Sequence, residues 1–598
     1  MDKETKAKRL FSEIKELVGG YKTKKVEIIE GLEFNQYETI KKIEFYSNSM
    51  FMSGQKDQLG RDKPFNNINT FRVNVAYRAT DLDLKDISIV ADDIIDKASQ
   101  MKALILSKEA YKWGKNAGIS ECLNDFGYVR PKYGTAVVKK CFDDEGEMEL
   151  EVCAWKNLVT DLVDIENGII IERHYMQPHE LAEKSDVWEN TEELLNHASK
   201  SKKDIEVLEV HGYFPEALDP EADEDSKVVF NYKMFMIGQC GEKMYLLHSE
   251  TEDECPYKVL NWRTQDGRAL GVGIVEDGFQ AQQWTNDALI SEKNAMDLAG
   301  KVILQTNSKK VGNNVLTDLD NGSIVSLEDG KTITPINLMP NALPKYSELI
   351  ARWDTQYERV SSTFNAITGE QMPSGTPYRQ TAILNQEAGS LFDQRREEAG
   401  IFWSEIYMEW VLPYLIKKLN KEHVLTSEWS MEELNMIDEA FATYNTNRKL
   451  IEMVIDGKEV SPEIQDELMR LEKETLNETK NVRSIPVPKD YFKDFKYTVS
   501  VMVTNEMRNK SVILESLSNI MGLVGANPAV LQDPVLSKVF GAIVDVAGLP
   551  ISVSQLLQSQ LIQQQIAPQQ PQGQQPQVNN AQAAKAEAEL AGGINPLA

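Results

Sequence analysis

From Gly271 to about Leu415 the apolar positions follow one plan: a helix, a small β insert, a second helix, a Gly/Pro-rich loop, then one very long helix. Projected at 100° per residue, Val275, Phe279, Leu289, Ile290 and Met296 gather within roughly one third of the circumference. Trp284, Ala281, Ala288 and Ala299 lie roughly opposite. Such a helix has a large apolar face and a mostly small-residue face, a pattern suited to touching neighbours on two sides. The second helix carries a single stripe of Leu343, Tyr346, Leu349, Ile350, Trp353, Tyr357, Val360 and Phe364, with Pro344 in the first turn, where its missing N–H costs nothing. At 1.5 Å per residue each rod is roughly 30–38 Å long.

Between the rods, Lys301 to Leu338 alternates β-branched residues with the turn pairs Asn321-Gly322 and Asp329-Gly330, a hairpin signal. A hairpin on a helical pair has little core of its own and is suited to pairing with another chain. Gly369, Pro373, Gly375 and Pro377 forbid continuous helix after Phe364, and Thr376-Pro377 reads as an N-cap followed by a first-turn proline. Leu384, Ala388, Leu391, Phe392, Ala399, Phe402, Trp403, Ile406 and Trp410 then keep to one face until Pro413, which is expected to kink or end the helix.

Elsewhere the periodicity predicts helices over 5–18, stopped by Gly19-Gly20, and over about 35–50. Residues 86–118 read as surface helices. From Tyr128 the pattern turns to strands: a hairpin about the turn at 144–146, further strands up to about His248, a helical stretch near 179–198, and an acidic loop at 215–227. This α+β module closes near Pro256 to Trp262. Charged helical segments are expected over 430–480, a strand over 495–504, helices over 506–565, and a Gln-rich end that is either a helical extension or a disordered tail.

Composition narrows the function. A net charge of −28 on 598 residues excludes a surface wrapped tightly on phosphate, although an acidic wall suits DNA that must slide. No apolar run approaches the ~18 residues needed to span a bilayer, and the N-terminus lacks the apolar stretch of a signal peptide. The five cysteines show no C-x-x-C spacing and read as free thiols in a reducing compartment. No P-loop, G-x-S-x-G or H-E-x-x-H motif occurs, so no catalytic residue is assigned. His174 and His179 have a spacing that suits no usual metal motif. Asp161, Asp164, Glu166 and Glu172 suggest a nuclease metal site on one reading and a solvated turn on the favoured one. Lys301, Lys309 and Lys310 beside the hairpin are candidates for phosphate contact, although charged hairpin edges more often serve solubility.

Together these segments, including WRTQDGRALGVG before the first rod, resemble a bacteriophage portal protein, the head-to-tail connector of tailed phages. The resemblance rests on element order and carries no short diagnostic motif. It implies an α+β, mainly helical fold with an α/β wing at 1–270, a first stem helix at 271–300, a β-containing clip at 301–341 and a second stem helix at 342–365. A tunnel loop at 366–377 follows, then a long wing helix at 378–420 and a return to the wing up to 505. A helical crown at 506–565 and a tail or barrel extension at 566–598 complete it. The resemblance further implies a ring, usually of twelve subunits, at one capsid vertex of the virion, assembled in the host cytoplasm. Double-stranded DNA would pass non-specifically through its channel beside Thr368, Gly369, Glu370, Gln371, Met372, Pro373, Ser374 and Gly375. The stem would pack through Val275, Phe279, Trp284, Leu289, Ile290, Met296, Leu349, Trp353, Tyr357 and Val360. Terminase large subunit, head–tail adaptors, and major capsid and scaffolding proteins would be partners, with no membrane, cofactor, metal or hydrolytic activity. The alternatives are a phage DNA-processing enzyme, nuclease or terminase-like, and a helical scaffold or adaptor without a channel.

Overall fold

A computed structural model describes residues 3–501, apart from short stretches at 58–59, 93–96, 144–145, 202–203 and 221–228, most of 300–342, all of 364–377 and parts of 420–494. Packing divides the chain into units 1–503 and 504–598, and every described residue belongs to the first. Helix and strand are mixed, as the α+β reading expects.

Helix α1 (Lys3–Gly20) buries Leu10 and Ile14, four residues apart on one face. Strands β1 (Val26–Ile29) and β2 (Leu32–Phe34) form a short hairpin. Helices α2 (Gln36–Ser47) and α3 (Ile68–Thr80) both start at an asparagine: Asn35 Oδ1 accepts from Glu38 N at 2.8 Å, and Asn67 Oδ1 from Thr70 N at 3.0 Å. The expectation of surface helices over 86–118 is corrected here. Strand β3 (Ile87–Ala91) precedes helix α4 (Lys97–Asn116), which buries Met101, Ile105, Leu106 and Trp113 in the largest core cluster. The partner of β3 is β16 (Tyr497–Val501), from the far end of the described chain, so no local signal marks the pair.

Helix α5 (Ile119–Tyr133) stops at Gly134, whose φ of +86° is a left-handed value that glycine adopts without strain. Strands β4 (Thr135–Phe142) and β5 (Met148–Val152) make the expected hairpin, and β11 (Tyr257–Asn261) pairs with the other edge of β4. A second, five-stranded antiparallel sheet has the order β10-β9-β8-β7-β6, from β6 (Leu158–Val159), β7 (Ile170–Met176), β8 (Ile205–Pro215), β9 (Phe230–Cys240) and β10 (Lys243–Thr251). Helix α1 packs against Leu208, Val210, Phe235 and Ile237 of this sheet. Helices α6 (Pro178–Glu183) and α7 (Thr191–Ser201) pack against Ile205, Val207 and Leu247. Leu208 and Val210 alternate with Val207 and Glu209 along β8, as a strand covered on both faces requires.

The glycines of WRTQDGRALGVG seat the chain where it leaves the sheets. A Cβ on Gly271 would lie 2.3 Å from the Gly134 carbonyl oxygen, and one on Gly273 would lie 2.5 Å from the Gly134 nitrogen. Only bare backbone fits this crossing. Helix α8 (Ile274–Asp277) and helix α9 (Phe279–Ala299) follow, then β12 (Ile303–Thr306), paired antiparallel with β13 (Ile333–Ile336), and helix α10 (Leu343–Ser361).

Helix α11 (Tyr378–Ile406) buries Phe392, Ala399, Phe402, Trp403 and Ile406 against α4 and α5 and around Trp262, while Leu391 is exposed. Leu384 and Ala388 carry no described side chains. Pro413 does not end the helix. Residues Tyr407–Val411 form a π turn, with Leu412 N bonded to Tyr407 O, and helix α12 (Leu412–Leu419) continues beyond it. The wider turn gives the ring room one step ahead of the proline. Strands β14 (His423–Glu428) and β15 (Val482–Val487) pair with each other on either side, in sequence, of the 430–480 stretch where charged helical segments are expected, and helix α13 (Pro462–Asn477) lies within that stretch. Among the described residues no helix is long and apolar enough to cross a membrane.

Candidate functional site

The two rods of the sequence plan, α9 and α10, lie side by side, and their roots are sewn to α3. The four leading N–H groups of any helix lack intrahelical partners. At the start of α3, Gln282 of α9 gives two of them a partner: its Oε1 accepts from Ile68 N at 3.1 Å and Asn69 N at 3.3 Å. Its Nε2 donates to the Asn66 carbonyl, and Asn286 Oδ1 accepts from Asn66 N at 3.0 Å. Gln282, Thr285 and Asn286 are fully buried, alongside Ala281 and Ala288. The face of α9 turned to its own chain is therefore the small and polar one.

Tyr357 anchors α10. Its ring is buried against Gly278, where a Cβ would come within 2.2 Å of the ring, and its hydroxyl lies 2.8 Å from Asn69 Oδ1 and 3.0 Å from the Ile274 carbonyl. Burial pushes the Tyr357 hydroxyl pKa well up, so it remains a neutral donor. Arg72 of α3, 3 % exposed, bonds Asp354 at 2.7 Å, Glu358 at 3.3 Å and the Thr363 carbonyl at 2.7 Å. The end of α10 is thus fixed by charge-assisted bonds to a rigid helix.

Several apolar side chains of the pair remain open to solvent. Trp284 and Trp353 stack with ring centroids 6.2 Å apart and 5° between planes, and Trp284 remains 52 % exposed. Met296 and Val360 are 54 % and 53 % exposed. Leu289, Ile290 and Leu349 are half-buried, Phe279 is half-buried against Tyr46, and Val275 is fully buried at the root. The candidates Thr368 to Gly375, and Lys301, Lys309 and Lys310, lie outside the described residues.

A second constellation escapes the sequence reading because four separate segments build it. Glu172 of β7 and Glu209 of β8 are directly opposite across the ladder, a like-charge pairing that is destabilising by itself. Lys139 of β4, reaching across from the other sheet, places its Nζ 3.0 Å from Glu172 and 2.7 Å from Glu209. His174 Nε2 lies 2.9 Å from Glu209 Oε2, and His211 bridges Glu209 Oε1 and Glu252 Oε2, each at 2.8 Å. Burial would raise the Glu209 pKa, but the bonds from His174 and His211 and the Lys139 charge hold it well below the usual carboxylate range. Burial would lower the Lys139 pKa, and the two carboxylates more than reverse this. His174 and Glu209 open onto a surface cleft of about 420 Å³, walled by Tyr175, Met176, Trp188 and Met236.

The ligand atoms of Glu172, His174 and Glu209 lie within 4.8 Å of one another, a spacing that could hold a metal ion. The Lys139 ammonium already bonds the same carboxylate oxygens, so this donor set fits an ammonium better than a divalent cation. The nuclease grouping Asp161, Asp164, Glu166 and Glu172 does not converge. Asp161 accepts from Val163 N and Asp164 N and pairs with Lys24, Asp164 bonds Asn167, Glu166 accepts from Val259 N, and Glu172 belongs to the Lys139 cluster. For Asp161, Asp164 and Glu166 these are turn and junction contacts, as the solvated-turn reading of the four expects; for Glu172 that reading is corrected, because the residue is buried in the ion cluster.

No family model matches the chain, and no curated protein matches it.

Proposed function

We propose that the chain is the subunit of a portal, a ring at one capsid vertex through which double-stranded DNA enters and leaves the head. One observation carries the reading: α9 and α10 pack as a pair, held at the root by α3, with a two-stranded β ladder between them in the chain and the apolar side chains Trp284, Met296 and Val360 left open. Exposed Trp284, Met296 and Val360 suit burial by a neighbouring copy, and head-to-tail contacts of this kind close into rings. The segment Thr368–Gly375, which has no Lys or Arg, suits sliding contact with DNA, and Lys301, Lys309 and Lys310 suit phosphate. In this role the protein hydrolyses nothing and needs no cofactor. Its partners are the terminase large subunit, adaptors, and capsid and scaffolding proteins.

Native mass measurement with negative-stain imaging of the purified protein tests the reading. Annular particles, usually of twelve subunits, are expected; a stable monomer at micromolar concentration overturns it. Deleting 366–377 is expected to spare the ring and impair DNA packaging or retention.

A further inference from the structure

The buried ion cluster has a consequence independent of the portal reading. It joins two sheets that share no hydrogen-bonded strands: Lys139 comes from the β11-β4-β5 sheet, while Glu172, His174, Glu209 and His211 come from the five-stranded sheet, with Glu252 just past its edge strand β10. His211 is the informative member. Both of its ring nitrogens lie 2.8 Å from carboxylate oxygens, Nε2 from Glu209 and Nδ1 from Glu252. An ionised carboxylate only accepts, and a neutral imidazole donates from one nitrogen alone. The arrangement is therefore satisfied only when His211 carries both protons. With His174 protonated as well, the cations Lys139, His174 and His211 balance the carboxylates Glu172, Glu209 and Glu252. With both imidazoles neutral, Lys139 alone faces all three.

We propose that this cluster is a proton-operated clasp between the two sheets of the 135–262 module, closed while its imidazoles are protonated and weakened when they are neutral. The other titratable groups around it do not compensate. Tyr257 of β11 packs its ring edge-on to His211 with centroids 5.1 Å apart, and Lys139 Nζ lies 5.7 Å from that ring. Tyr257, Cys153 after β5, and Tyr232 of β9 are all pushed up by burial and stay neutral through the physiological range. Burial pushes His211 down, but its bonds to Glu209 and Glu252 push it further up, and the bond to Glu209 raises His174. A folded-state pKa above the unfolded value of about 6.5 contributes fully below that pH and is lost as pH climbs through the folded value. Glu209, whose pKa is depressed, acts in the opposite sense: its contribution is present above about pH 4.3 and is lost as pH falls through the lower folded value. The clasp thus weakens on the alkaline side first, as pH rises from neutrality.

Hydrogen–deuterium exchange on the full-length protein, corrected for intrinsic base catalysis, tests this between about pH 6 and about pH 9. Protection of the β4, β7 and β8 amides is expected to fall roughly tenfold or more over that range, with α4 and α11 unaffected. His211→Gln, which cannot carry the charge, is expected to flatten the dependence. Unchanged protection in the wild type, or an unchanged slope in the variant, overturns the proposal. If the variant does not fold, ring-proton NMR of the wild-type histidines decides: His211 titrating at or below the ordinary histidine value overturns the clasp, and titration above it supports it.

Discussion

The sheet junction and the root of the helical pair both bury polar groups, but by different means. At the junction, full charges from β4, β7 and β8 neutralise one another on rigid strands, and removing one leaves the others without water. At the root, a neutral amide meets open donors at the start of α3, the Tyr357 hydroxyl adds to the Ile274 carbonyl of α8, and the Arg72 guanidinium reaches carboxylates nearer solvent. The junction is complete within one chain. The pair is tied to its own chain at its base and leaves Trp284, Met296 and Val360 open. A region satisfied by its own charges contributes to stability, whereas one satisfied only at its end offers a surface to another molecule.

Four substitutions test that contrast. Lys139→Met strands two buried carboxylates and should cost ~3–5 kcal/mol, read from urea unfolding followed by tryptophan fluorescence. A loss under ~1 kcal/mol would mean the junction is not held by charge. Gly278→Ala drives a methyl group into the Tyr357 ring and should cost ~1–3 kcal/mol, with local loosening of α10 seen by hydrogen exchange. Tyr357→Phe keeps the ring and removes only the hydroxyl bonds, for about 1 kcal/mol; a much larger loss would show that the root depends on its polar contacts more than on shape. Trp284→Ala, at a half-exposed stack, should change the stability of the single chain least, by ~0.5–1 kcal/mol in thermal unfolding. Under the proposed function the same change should reduce the yield of rings strongly, and unaltered assembly would separate the exposed tryptophan from the subunit contact.

Much of the fold is legible in the sequence where a single segment carries its own signal. Leu10 and Ile14, the β4–β5 hairpin and the Trp403 face of α11 are marked by local periodicity and turn residues. Strand β3 is not, because the residues that make it a strand lie on β16. The buried face of α9 misleads in another way. Hydrophobic periodicity finds apolar stripes, but Gln282, Thr285 and Asn286 are buried because they answer the open end of a helix distant in sequence. The ion cluster is the extreme case: Lys139, Glu172, Glu209 and Glu252 look like ordinary solvated charges until two sheets bring them together. In the sequence His174 stands out only for its spacing to His179, which has no part in the cluster.

The π turn at Tyr407–Val411 fixes the phase of everything after it. It takes up one residue more than an α-helical turn, so the same residues wound as regular α-helix would rotate α12 by roughly 100°. Leu412, Leu415 and Leu419 would swing out of the core and bring Lys417 or Lys418 towards it. Deleting one residue inside the turn should therefore leave Leu415 and Leu419 facing the core, whereas the same deletion between Leu412 and Leu415 turns them away.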